Sequence, residues 1–180
     1  MSYNHDEEDD DNYNRYMFKK KLDILKEKKG FHTALITLTI PPSKKLHDVI
    51  NYLDNEISES SNIKDKNNRK NVLSSIRSLI ERLRLYKEVP KNGLVMFSGQ
   101  IPEEGRPGTE KPELYDLEPP EPLQTFRYYC SSEFYVKPLY DMIEEKGSYG
   151  IIDIENKEAA IGYLRGAHLE IAKTMTSGIH

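Results

Sequence analysis

The chain has 180 residues, with 26 Lys and Arg against 30 Asp and Glu, a formal net charge of -4 and a single cysteine, Cys130. That length suffices for one good-sized domain, or a domain and a fragment; one cysteine excludes an internal disulfide framework, and no Cys/His cluster has zinc spacing. The N-terminus "MSYNHDEEDDDNYNRY" has no apolar signal region, and no later apolar run approaches the roughly 20 residues of a membrane span. The expectation is a soluble, cytoplasmic protein with no membrane partner, no metal and no cofactor.

Asp6, Glu7, Glu8, Asp9, Asp10 and Asp11 form an acidic run that reads as a solvated, disordered tail over residues 1–12. Residues 13–29 read as a helix, with Phe18, Leu22 and Leu25 at helical spacing and Gly30 as its stop. "TALITLTI" alternates Ala34, Ile36, Leu38 and Ile40 with Thr33, Leu35, Thr37 and Thr39, which predicts a half-buried strand ended by Pro41 and Pro42. A helix over about His47 to Ile57 follows, then a longer one over about Asp65 to Tyr86. The short link between them makes a helical hairpin.

After Pro90, "NGLVMFSGQI" predicts a buried strand opened by a turn. "PEEGRPGTEKP" is a loop, "ELYDLEPPEP" a short strand with proline stops, "TFRYYCSSEF" another extended stretch, and 135–144 a helix. The whole is an α+β domain over 13–144: an antiparallel sheet with packed helices and a protruding helical hairpin. From Tyr149, "YGIIDI", "AAIGYLRG" and "HLEIAKTM" read as a partial β-meander, the start of a second domain over 145–180. The incomplete meander points to a cut chain.

The charge is segregated. Between Ser61 and Lys91 nine cations face three acids, an excess of six that makes a footprint for a polyanion. The hairpin tip "SSNIKDKNNR" concentrates part of it: Lys64, Lys66 and Arg69 stand at the start of the second helix, where free backbone N-H groups receive anions. The plain alternative is a hydrophilic turn with a solvated cationic first turn. Cations there are mildly unfavourable for the helix itself, which argues for another reason to keep them.

Four segments carry a resemblance: "NIK" at 62–64, "ITLTIPP" at 36–42, "RLRLYKEVPKNGLV" at 82–95 and "YYCSSEF" at 128–134. In this order and spacing, over roughly residues 15–144, the chain resembles the N-terminal domain of the archaeal and eukaryotic class I translation release factor. "YGIIDIENKEAAIGYLRGAHLEIAKTMTSG" resembles the first strands of that factor's middle domain, in its archaeal version. The family's Gly-Gly-Gln loop, which promotes peptidyl-tRNA hydrolysis, does not occur in these residues. The chain by itself is therefore expected to be catalytically inert.

The resemblance implies a stop-codon reader acting in the ribosomal A site. Its anticodon-like Asn-Ile-Lys-Ser maps onto Asn62, Ile63, Lys64 and Asp65, with Asp65 read as an N-cap in place of serine. An amide offers donors and acceptors to a base edge, and an ammonium adds donors and charge. Ile63 is expected in the turn or against a base. Tyr128, Cys130 and Phe134 fit the family's Tyr-x-Cys-x-x-x-Phe motif, which implies Tyr128 and Cys130 beside the two purines and Phe134 packed behind them. Glu56 is implied as an acceptor for a purine amino group. Thr33 falls on the family's Gly-Thr-Ser segment, where His32 and Ala34 depart from the pattern. Lys66, Arg69 and Lys70 are expected RNA phosphate contacts. The implied partners are the mRNA stop codon, small-subunit ribosomal RNA and the ribosome, with a translational GTPase bound through later domains.

Two other readings stay open on the residues. One is a ribosome-binding module of the same fold that reads no codon, which the His32, Ala34 and Asp65 departures favour. The other is a thiol enzyme on Cys130, although His5, His32, His47, His168 and His180 have no motif relation to it.

Overall fold

The computed structural model describes residues 5–143, 148–165 and 168–177. The chain divides into two units, Met1–Ile143 and Glu144–His180. In the first, helix α1 (His5–Lys26) is followed by strand β1 (Leu35–Ile40), the hairpin of α2 (Leu46–Ser60) and α3 (Lys66–Leu83), strands β2 (Leu94–Ile101), β3 (Lys111–Leu117) and β4 (Arg127–Ser131), and helix α4 (Lys137–Ile143). The α+β class and the protruding hairpin are as the sequence predicts.

The four strands form one antiparallel sheet in the order β3-β2-β1-β4, which puts β1 in the interior. Side chains alternate across a strand, so β1 and β2 each feed two cores. Ile36, Leu38, Ile40, Leu94 and Met96 pack against Val49 and Leu53 of α2 and Val72, Ile76, Leu79, Ile80 and Leu83 of α3. Leu35, Val95 and Phe97 pack on the other face against Phe18, Leu22 and Leu25 of α1 and Leu139 and Ile143 of α4. The expectation of a half-buried β1 is thus corrected: helices cover both faces. Thr37, which the alternation placed on a solvent side, is buried, and its Oγ1 accepts from the Tyr135 N-H at 2.8 Å.

Two further corrections concern α1. It begins at His5, within the stretch that the sequence reads as a disordered tail. It ends at Lys26, before Gly30, whose N-H instead donates to the Ser132 carbonyl at 2.8 Å. The turn opening β2 needs a glycine at position 93: its φ is +91°, and a Cβ there would stand 2.5 Å from the Ile40 carbonyl oxygen.

A polar clamp closes the far end of the hairpin. Arg82 donates to Asp116 of β3 through Nε at 3.0 Å and Nη2 at 2.8 Å, and the Tyr86 hydroxyl donates to the same carboxylate. The guanidinium holds the Asp116 carboxyl below its usual range.

The second unit is a three-stranded antiparallel meander of β5 (Ser148–Ile154), β6 (Glu158–Arg165) and β7 (His168–Thr176), in the order β5-β6-β7 with a register shift at Ile161/Gly162. Ile152, Ile154 and Ile171 are exposed on it.

Phe134 is 5% exposed and sits edge-on to Phe97, ring centroids 5.3 Å apart, in the core beneath α1 and α4. Replacing it with alanine is expected to destabilise the domain by about 3–5 kcal/mol in urea or thermal unfolding. A loss below about 1 kcal/mol would show that the ring is not part of that core.

Candidate functional site

The predicted site residues fall into two groups, one at each end of the hairpin's outer stretch, and one of them lies elsewhere. The first group is the tip. Helix α2 closes with the Ser61 and Asn62 N-H groups donating to Ile57 and Glu59 carbonyls at 3.2 and 3.1 Å, and the Ile63 N-H donating to Ser60 at 3.2 Å. Asp65 is the N-cap of α3 in extended conformation, accepting from the Asn68 N-H at 2.6 Å. Asp65 therefore acts as the serine substitute the sequence suggests, a cap contributing about 1 kcal/mol.

The tip is internally braced. Arg69 Nη1 donates to the Ile63 carbonyl at 3.3 Å, and the half-buried Ile63 side chain packs against the α2/α3 core. Asn62, Lys64, Asp65, Lys66 and Lys70 are exposed. Asn68 reaches across to the loop before β1, donating from Nδ2 to Thr33 Oγ1 at 3.3 Å, while its Oδ1 is shielded without a protein partner. Thr33 therefore belongs with the tip. His32 beside it has φ +54°, the left-handed conformation that glycine takes at no cost and histidine tolerates better than most residues. These elements line a cleft of about 420 Å³ formed by Phe31, His32, Asp65, Asn68, Lys70 and Gly108 with their neighbours.

The second group lies on β4 and α2. Tyr128 pairs with Leu38 and Cys130 with Ile36 on β1, so both side chains face the hairpin. Cys130 Sγ and the Tyr128 hydroxyl are 3.2 Å apart. Tyr52 of α2 meets the Tyr128 ring edge-on at 5.8 Å and Phe126 at 5.1 Å, and Lys44 stands over the Phe126 ring at 5.1 Å. Glu56, one helical turn beyond Tyr52, hydrogen-bonds the Tyr52 hydroxyl. Tyr52 and Phe126 are missing from the sequence reading; the spacing of four between Tyr52 and Glu56 was the available signal.

The hydroxyls of Tyr52 and Tyr128 and the Cys130 thiol are each shifted toward the protonated form. Burial, then the Glu56 hydrogen bond and charge, push Tyr52 up to about 12. Burial pushes the Tyr128 hydroxyl far up, with Cys130, Glu56 and Tyr52 adding to it. The Cys130 thiol is raised by burial and by Glu56, against a hydrogen bond from Tyr128 that lowers it. A thiol raised in this way is the reverse of an activated nucleophile, which counts against the thiol-enzyme reading. Among the described residues there is no group of three or more His, Cys, Asp and Glu that would hold a metal ion.

Phe134 is the residue that the structure sets apart. It lies in the core beneath α1 and α4, on the sheet face opposite Tyr128 and Cys130. β4 ends at Ser131, three residues before Phe134, and the buried ring packs behind the sheet rather than beside Tyr128 and Cys130.

A family model described as eRF1 domain 1 matches residues 13–144. Peptide chain release factor subunit 1 of Methanocaldococcus jannaschii is 48% identical over 164 residues, covering 91% of this chain and 39% of that protein. The same factor of Methanobrevibacter smithii is 49% identical over 164 residues, covering 91% and 40%. Among solved structures, an archaeal translation termination factor, aRF1, superposes with a TM-score of 0.66 at 34% identity, covering 92% of this chain and 45% of that one. The chain thus spans well under half the length of these relatives. Among the described residues no helix is long and apolar enough to cross a membrane.

Labelling of Cys130 by a thiol reagent is expected to follow a titration with its midpoint above that of an ordinary exposed thiol. Glu56→Gln removes a raising charge and shifts the midpoint down; Tyr128→Phe removes the lowering hydrogen bond and shifts it up. A midpoint at or below that of an ordinary exposed thiol, or no response to either substitution, would contradict this grouping.

Proposed function

The chain belongs to the eRF1 domain 1 family, and on that premise we propose that it is the decoding part of a class I release factor, reading mRNA stop codons in the ribosomal A site. The observation that carries the proposal is the division of the predicted readers into two groups, one at the hairpin tip and one where α2 packs beside β4. The exposed Asn62 and Lys64 at the tip take the first uridine. Glu56, about two helical turns back along α2, takes the purines together with Tyr128 and Cys130 of β4.

The chemistry of the two groups differs in the way the codon requires. Asn62 and Lys64 supply donors, and Asn62 also an acceptor, to a pyrimidine edge. Glu56 accepts from a purine amino group and repels a carbonyl edge, which discriminates between bases by penalty as well as reward. Tyr128, protonated throughout the physiological range, is a hydroxyl donor with a face on which a base stacks, a contact contributing on the order of 1–3 kcal/mol. Lys66, Arg69 and Lys70 contact RNA phosphates, and Thr33 holds the α3 start in register through Asn68.

Hydrolysis of peptidyl-tRNA is assigned to a Gly-Gly-Gln loop, which these 180 residues do not contain; the chain reads and does not catalyse. Its partners are the stop codon, small-subunit ribosomal RNA and the ribosome, with the translational GTPase contacted through other domains, and its compartment is the cytoplasm.

The test grafts residues 1–180 onto the middle and C-terminal domains of a related release factor and measures peptide release on ribosomes programmed with UAA, UAG, UGA, UGG and a sense codon. Release on stop codons alone is expected, with a loss of at least tenfold on Lys64→Ala or Glu56→Ala. Ribosome binding without release on any codon would contradict the proposal and favour a docking module of the same fold.

A further inference from the structure

Below the tip, α3 and β3 form an open groove of about 680 Å³ lined by Lys70, Ser74, Arg77, Ser78, Arg82 and Leu114 with Glu81 and Leu85. Its charges are not equivalent. Arg82 is held by Asp116, and Glu81 lies 3.2 Å from Arg84, so these four neutralise one another. Lys70 and Arg77 are exposed and have no acidic partner among the described residues. Seven residues apart on one helix, they share a face and stand about 10 Å apart along the axis, too far to hold a single anionic group.

The remaining lining is suited to a chain of anions. Ser74 Oγ accepts from Gln100 Nε2 at 3.4 Å, which leaves its own O-H to donate into the groove. Leu85, 74% exposed, and the half-buried Leu114 form an apolar end, a surface for a ribose. No aromatic ring lines the groove, so it offers bases nothing to stack on and no means of telling them apart. Lys70 lines this groove and also the cleft at the tip, so one exposed cation borders both.

We propose that this groove is a sequence-independent seat for the sugar-phosphate backbone of an RNA strand, with Arg77 as its main contact and Lys70 joining it to the tip. It rests on reading the tip as an RNA interface, and it adds a second, separable one. An acidic protein segment is the competing occupant; Lys70, shared with the tip, favours RNA.

The test titrates the 180-residue chain with a short single-stranded cytidine RNA, which contains no stop triplet, over a range of salt concentrations. Arg77→Ala is expected to weaken binding severalfold at low salt and to reduce the log-log salt slope by about 0.7, the value for one lost phosphate contact on a single strand. Arg77→Lys keeps the slope, and Lys19→Ala, an exposed cation on α1, leaves both affinity and slope unchanged. An unchanged slope in Arg77→Ala, an equal loss in Lys19→Ala, or displacement of the RNA by a polyglutamate peptide at equal charge would each overturn the proposal. Because the probe contains no stop codon, failure here is distinct from failure of codon-selective release in the graft.

Discussion

The arrangement depends on β1. Paired along both edges, to β2 and β4, and covered on both faces, this strand has no freedom to slip: a shift by one residue would exchange Leu35 and Thr37 with Ile36 and Leu38 between two different cores. Its register fixes which side chains of β4 face the hairpin. Cys130 is held opposite Ile36, and Tyr128 opposite Leu38, against Tyr52 of α2. The loop that enters β1 also carries Thr33 to Asn68 at the start of α3. Both groups of proposed readers are therefore referenced to one strand.

The hairpin is rigid for physical reasons that suit a probe. One face of α2 and α3 is buried from Val49 to Leu83, the tip is closed by backbone bonds and the Asp65 cap, and the base is fixed by the Arg82, Asp116 and Tyr86 clamp. Side chains meant to discriminate bases must be held by their own scaffold rather than ordered on binding. The helix gains nothing from the cations of its first turn, and the proposed reading gives them RNA phosphates to meet.

Much of this was legible in the sequence. Helical periodicity gave the hairpin, alternation gave β1, and the asparagine, lysine and acidic residues at 62–65 marked the tip. What failed did so for identifiable causes. Alternation of Thr with apolar residues in "TALITLTI" suggested one solvent face, but helices cover both faces, and Thr37 is satisfied by a backbone donor nearly a hundred residues away. Motif spacing also leaves open which sheet face Phe134 takes: three residues beyond the end of β4, it packs in the core beneath α1 and α4. Tyr52 was invisible because an aromatic on a helix's apolar side reads as core until its neighbour Glu56 is placed beside Tyr128.

The central claim is that the tip and the Glu56, Tyr128 and Cys130 group form one reading head for successive codon bases. Site-specific photo-crosslinking tests it most directly, using the grafted protein on ribosomes programmed with UAA bearing a photoreactive base at one codon position at a time. The account predicts attachment of the first uridine within residues 62–65 and of the following purines on α2 and β4 around Glu56 and Tyr128. Attachment of the purines to the α1 and α4 side of the sheet, around Phe134, would contradict it.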